Sequence, residues 1–185
     1  ATGTMEFDSA DVAALEASGQ LLDVILHEMG HVIGIGTIWQ SLGLLLNAGT
    51  SDPRFTGTNA ITQYNQLLGR NVIDIPVEGS AGPGTNDAHW RETDLNNELM
   101  TGFLNSGVNP ISAITIGSLA DLGYVVNLTA ADLFPLQAPG VQLLNPVPIG
   151  QMLDSGPFIV LDASAFVSAG TANAVIATAG QGILV

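Results

Sequence analysis

The sequence predicts a mixed α+β fold organised around one amphipathic helix that carries a metal-site motif. Three observations predict it. Residues 20–33 place apolar side chains at helical spacing and contain His27-Glu28-x-x-His31. Runs near both ends, Thr4 to Phe7 and Phe158 to Leu161, have the length and residue types of strands. Glycines at 19, 69 and 123 stand where short helices would stop, so the helices alternate with loops.

In order, Thr4 to Phe7 reads as a short strand, either lining a cleft or simply packing. Asp8 or Ser9 caps a helix that runs to about Ser18, and Gly19 ends it. The motif helix follows from about Gln20 to Ile33. Leu22, Ile25, Leu26, Met29 and Ile33 fall on one stripe expected to face a core. His27 and His31 fall on roughly the opposite side. Gly34 sits where a helix ends through a left-handed residue. Ile38-Trp39 and Leu42 to Leu46 are expected to pack on the core. Asn47 to Thr56 is turn-rich, and Thr58 to Leu68 is a helix by the spacing of Ile61, Tyr64 and Leu68. Asn71 to Val77 alternates like a strand whose end, at Pro76, lies at an edge or exit.

The glycine-rich stretch Glu78 to Thr85 lacks the lysine of a phosphate loop, and its expected task is to deliver His89-Trp90. Asn97 to Gly102 is turn-like. Asn109-Pro110 is expected to open a helix that runs to Leu122, with Gly123 as its stop and Tyr124 in the place of an apolar capping contact. From residue 127 the chain turns Pro-rich, with apolar runs at 158–161, 174–177 and 183–185. Residues 1–126 therefore read as a core and 127–185 as a Pro-rich, strand-bearing tail, packed on the core or opening a further domain. Asn127-Leu128-Thr129 is a glycosylation sequon that matters only in a eukaryotic secretory pathway. The chain begins without an initiator Met and ends within an apolar run, so both ends read as cuts in a longer precursor.

Charge narrows the function. The 185 residues hold 17 acidic and 3 basic side chains, a net charge of −14, and the only cations besides histidine are Arg54, Arg70 and Arg91. Phosphate-backbone binding needs clustered Lys and Arg, so nucleic acid is excluded as a partner, and acidic membrane surfaces are disfavoured. No run of about 20 apolar residues is present to span a bilayer. Excess carboxylate suits a secreted protein or a Ca²⁺ binder, although no Asp-rich loop has calcium-site spacing. With no cysteine, a transition-metal site must use His, Asp or Glu.

On a helix, His27 and His31 stand four apart on one face and can grip one ion, with Glu28 beside them as general base for a water. The chain has three histidines in all, and a catalytic zinc site takes three protein ligands plus a water. His89 is the expected third ligand, with Asp87 or Glu92 as the rival. A three-imidazole site suits zinc, while iron, cobalt or nickel compete for the same donors. The chemistry that follows is hydrolysis of an amide bond in a protein or peptide.

The pattern resembles the metzincin metalloproteases, and within them the leishmanolysin-like zinc proteases. His27, Glu28, His31 and Gly34 match the H-E-x-x-H-x-x-G motif. Thr37 stands where most metzincins have the third histidine. An insertion ending at Ala88 separates the glycine from His89-Trp90, as in leishmanolysin-like enzymes. Glu98-Leu99-Met100 resembles the Met-turn stretch, which implies Met100 beneath the metal, and Leu119 to Tyr124 resembles the helix end that closes the catalytic domain. The resemblance covers roughly Thr4 to Asn127. It implies a zincin-like α+β catalytic domain with an active-site helix, Met-turn and C-terminal helix, one Zn²⁺, and an extracellular or cell-surface location.

Departures accompany it. Lack of cysteine looks more like a bacterial relative than the disulfide-rich eukaryotic enzymes. Only 26 residues precede His27, so the upstream sheet is absent, carried elsewhere, or replaced by the strands after Phe158. The place two residues after the Met, a Tyr in some metzincins, is Gly102 here. A zinc endopeptidase is thus the leading expectation. The alternatives are a non-catalytic binding or adhesion module that has kept a metal site, and a metal-dependent hydrolase of other bonds.

Overall fold

Asp8 is the hinge between the first strand and the first helix. In the computed structural model, which describes residues 3–134, 147–148 and 158–162, β1 (Thr4–Asp8) runs directly into α1 (Ser9–Ser18). The Asp8 carboxylate accepts the Ala10 N–H at 2.8 Å and so satisfies a free amide of the first turn. Gly19, at φ +76°, ends α1 in the left-handed conformation that favours glycine. The motif helix α2 (Leu21–Val32) follows at once.

The middle of the chain is irregular backbone tied by short elements. β2 (Leu45–Leu46), β3 (Arg54–Phe55) and, beyond α3 (Thr58–Leu68), β4 (Ile75–Pro76) form a three-stranded antiparallel sheet with β3 in the centre. Pro76 therefore lies on an edge strand, as its missing N–H requires. Of the strand expected over 71–77, this pair forms the ladder and Val77 adds a bridge to Trp90, while Ile73 is 86% exposed. Leu42 and Leu46, expected in the core, are about half exposed, and Leu45 alone of that run is fully buried.

α4 (Glu92–Leu95), β5 (Phe103–Leu104) and α5 (Ala113–Asp121) complete the core, followed by a 3-10 turn at Leu128–Ala130. The helix expected to start at Asn109-Pro110 starts instead at Ser112, whose hydroxyl accepts the Thr115 N–H. Asn109 is engaged elsewhere: its side chain takes the Asn105 N–H at 3.1 Å and donates to Asp23 at 2.9 Å. β6 (Val147–Pro148) pairs antiparallel with β5, and β7 (Phe158–Asp162) pairs antiparallel with β1, Thr4 opposite Asp162. The apolar runs at 174–177 and 183–185 and the prolines at 135, 139, 146 and 157 lie outside the described residues.

Two apolar clusters flank the motif helix. The larger gathers Trp39, Phe55, Tyr64, Ile75, Trp90, Leu95, Met100 and Ile114, with the Trp39, Phe55 and Trp90 rings 4.7–5.3 Å apart. The smaller joins Met5 and Phe7 of β1, Leu15 of α1, Val24 of α2 and Leu104. α3 packs on α5 where Gly117 lets the Ala60 backbone approach closely. Asp121 of α5 accepts the Asn59 and Ala60 amides, the cap that Gly57 cannot supply to α3.

The expected facing of α2 is corrected. Its fully buried positions are Val24, His27 and Gly30, while Leu22 is 60% exposed. The histidine side faces the interior because the segment around Met100 packs against it.

Candidate metal centre

Helix α2 ends in a way that builds part of the site. The Gly34 N–H donates to His31 O at 3.1 Å and the Ile35 N–H to Gly30 O at 2.9 Å, a Schellman pattern with Gly34 at φ +115°. This reversal brings the Ile35 carbonyl back to the His31 ring, 2.9 Å from Nδ1. Thr37 spends its hydroxyl on the His31 carbonyl at 2.8 Å, closing the helix end.

The other two rings are held in the same manner. His27 Nδ1 lies 2.7 Å from Leu99 O, and His89 Nδ1 lies 2.8 Å from Thr85 O. The glycine-rich loop folds on itself to set the latter: Asn86 Oδ1 accepts the Ala81 and Gly82 amides, and the Glu78 N–H donates to His89 O at 2.8 Å. Gly36, at φ +73°, lets the returning chain pass, because a Cβ there would run into the Ala88 carbonyl.

A carbonyl oxygen only accepts, so each Nδ1 carries the hydrogen and each Nε2 is left with a lone pair. The three Nε2 atoms stand 3.0 Å (His27–His31), 3.1 Å (His27–His89) and 2.9 Å (His31–His89) apart. With no hydrogen among them these are not hydrogen bonds. Three lone pairs this close repel unless a cation lies between them, and imidazoles at such spacing suit one zinc ion with a nitrogen distance of about 2.0–2.1 Å. Burial keeps the rings neutral: it drives His27 well below the usual imidazole value, aided by its two neighbours, lowers His31, and takes His89 to about 3.

Glu28 is half-buried on the same helix, and burial raises its carboxyl to about 7. Met100, 1% exposed, packs under α2: a Cβ at Gly30 would lie 2.7 Å from its sulfur. Gly30 is thus what admits the methionine between the turns bearing His27 and His31.

The structure brings His27, His31 and His89 together, with Met100 and Gly34 beside them. It does not bring the rivals for third ligand to that point: Asp87 accepts the Gly49 amide and Glu92 accepts the Asn105 side chain. Among the described residues no other group of three metal-ligating side chains converges, so the calcium reading finds no site. Gly102 sits against Thr85, whose methyl a Cβ there would meet. Sequence reasoning missed the three carbonyls of Ile35, Thr85 and Leu99, since a backbone acceptor leaves no mark in residue type. Gly34 alone hinted at one of them.

This mixed helix-and-sheet arrangement around the three-histidine cluster defines an α+β domain with a candidate metal centre on one helix. The family follows from comparison with known proteins. The model of the leishmanolysin peptidase family matches residues 1–141, so the chain belongs to that family. A leishmanolysin homolog from Crithidia fasciculata is 25% identical over 112 residues, a span that takes in 56% of this chain and 17% of that protein.

Proposed function

We propose that the chain is the catalytic core of a zinc-dependent endopeptidase, with His27, His31 and His89 as the metal ligands. The observation that carries this reading is the convergence of three Nε2 lone pairs, at 2.9–3.1 Å, two of them from the helix that also carries half-buried Glu28. Zinc, when bound there, supplies acidity to a water and polarises a carbonyl. The protein's own groups do the rest. Glu28, the general base, takes the proton of the attacking water and passes it to the leaving amine. A carboxyl poised near neutrality can make both transfers. The carbonyls of Leu99, Ile35 and Thr85 hold the rings in the required tautomer and orientation. Met100 supports the helix from below through Gly30, and Gly34 turns the chain so that Ile35 can serve His31.

Glu28 favours catalysis over a purely structural or adhesive metal site, which has no use for a base. Substrates are proteins or peptides, and the acidic surface fits an extracellular or cell-surface location. The absence of cysteine supports a bacterial relative within the family. Residues 1–126 form the catalytic core in this reading, with the backbone of the 127–185 segment returning to it through β6 and β7.

The test is cleavage of an unstructured protein by the zinc-loaded chain. Cleavage is expected to stop with a chelator, to return with zinc, and to fall by about 10²–10⁴ in Glu28→Gln while zinc content is unchanged. A chain that holds zinc yet shows no chelator-sensitive cleavage, or that turns over only non-peptide esters, contradicts the proposal.

A further inference from the structure

One buried carboxylate outside the ligand set grips the loop whose Leu99 carbonyl orients His27. Glu98 is 0% exposed. Its Oε2 accepts the Met100 N–H at 2.6 Å. Its Oε1 accepts the Ser112 N–H at 3.0 Å, the Ser112 hydroxyl at 2.8 Å and the Thr115 hydroxyl. The Thr115 hydroxyl in turn accepts the Trp90 indole N–H at 2.8 Å. Trp90 directly follows His89, and its backbone N–H donates to Met100 O at 3.0 Å.

The consequence is geometric. Leu99, whose carbonyl orients His27, lies between Glu98 and the Met100 amide that Glu98 grips. The carboxylate therefore clamps the short loop that presents one ring-orienting carbonyl and the methionine under α2. Through Thr115 and Trp90 it also reaches the residue beside His89. Its four donors come from the start of α5 and from the loop itself, so it ties the loop to α5. A general structural role would need only burial, and an apolar side chain would fill that core at lower cost. A full set of four donors on one carboxylate is the arrangement of a group that sets orientation.

We infer that Glu98 is a positioning residue for the metal centre, holding the Leu99 carbonyl and Met100 so that His27 and His89 keep their aim. The inference rests on the metal-centre reading. Glutamine keeps the size of Glu98 but puts an NH₂ in place of one acceptor, leaving a donor such as the Met100 amide facing another donor.

The experiment uses the whole chain loaded with Zn²⁺, or with Co²⁺ as a spectroscopic probe, and follows zinc release to a chromophoric chelator. Glu98→Gln is expected to release zinc at least tenfold faster than wild type and to shift the Co²⁺ ligand-field bands. Asp121→Asn, which weakens the cap of α3 and bonds neither a ligand nor a ring-orienting residue, is the control for lost stability. It is expected to lower the melting temperature while leaving zinc release and the Co²⁺ spectrum as in wild type. Thr115→Val removes one donor and the Trp90 link, and is expected to accelerate release by a smaller factor; it serves if Glu98→Gln does not fold. The inference is overturned if Glu98→Gln and Thr115→Val keep wild-type release and spectra. It is equally overturned if Asp121→Asn, at matched loss of melting temperature, releases zinc as fast as they do. A wild-type chain that binds neither ion would overturn the metal-centre reading itself, and the inference with it.

Discussion

Glu98 also carries a pH signature of its own. Burial raises its carboxyl above the ordinary value of 4.5, against the opposing pull of its hydrogen-bond donors. As pH falls, the native chain then binds this proton before the unfolded chain does. Stability from this group rises on descending through its folded pKa and levels off below its unfolded one. Urea unfolding of wild type and Glu98→Gln should show a stability difference that moves in favour of wild type as pH falls toward the ordinary carboxylate value of 4.5. A difference that stays flat over that range contradicts the assignment. The same scale explains His89. A lone histidine gives no spatial information, but a chain with three of them, two paired on a helix, leaves His89 as the one imidazole to complete a triad. Its delivery rests on Thr85 O and on the absence of a side chain at Gly36, and neither is visible as a motif.

At the scale of elements, the helices were the legible part. Asp8, Gly19, Gly69 and Gly123 mark their ends by local chemistry, and the structure uses all four that way. What misled was the facing of α2 and the start of α5. Apolar periodicity assumes one core on one side, yet α2 lies between two clusters, and the Val24–His27–Gly30 face is as buried as any. Asn109 looks like a cap, but its side chain bonds Asp23, 86 residues away, a partner no local reading can find. The ends of α2 and α5 meet through Tyr124, whose hydroxyl donates to the Ile33 carbonyl at 2.9 Å. Gly36 is the weak point of this corner. Gly36→Ala is expected to cost at least about 1–2 kcal/mol from its positive φ alone, with more from the Ala88 carbonyl, and to weaken zinc binding because Ala88 precedes His89. Chemical unfolding together with a zinc titration measures both, and a variant unchanged in either would contradict the close approach.

For the whole molecule, the site ties distant segments together: α2, the loop reaching Thr85 and His89, and the Leu99-Met100 turn. Arg91 reinforces this by bonding Asp52 at 2.7 Å and Val77 O at 2.9 Å two residues past His89. An ion that binds three such segments stabilises the native state alone. At free zinc of 1,000 times its dissociation constant the gain is about 4 kcal/mol, which for a chain of this size corresponds to a melting temperature higher by about 8–16 °C. Calorimetry with and without chelator should show a drop of that order, whereas equal transitions would mean the histidines hold no ion. The mixed α+β composition was legible from sequence, and the strand after Phe158 was one of the open alternatives for completing the sheet, but its register on β1, joining residues 150–158 positions apart, was not.

The proposed metal centre requires that His27, His31 and His89 share one zinc ion. X-ray absorption at the zinc edge, on wild type and His89→Ala each with one equivalent of zinc, measures it. The expected wild-type spectrum shows three imidazole nitrogens at about 2.0–2.1 Å and one oxygen of a non-protein ligand, and the variant shows two imidazoles with affinity reduced by more than about 100-fold. Identical spectra for the two proteins, or a carboxylate in place of the third imidazole, would contradict it.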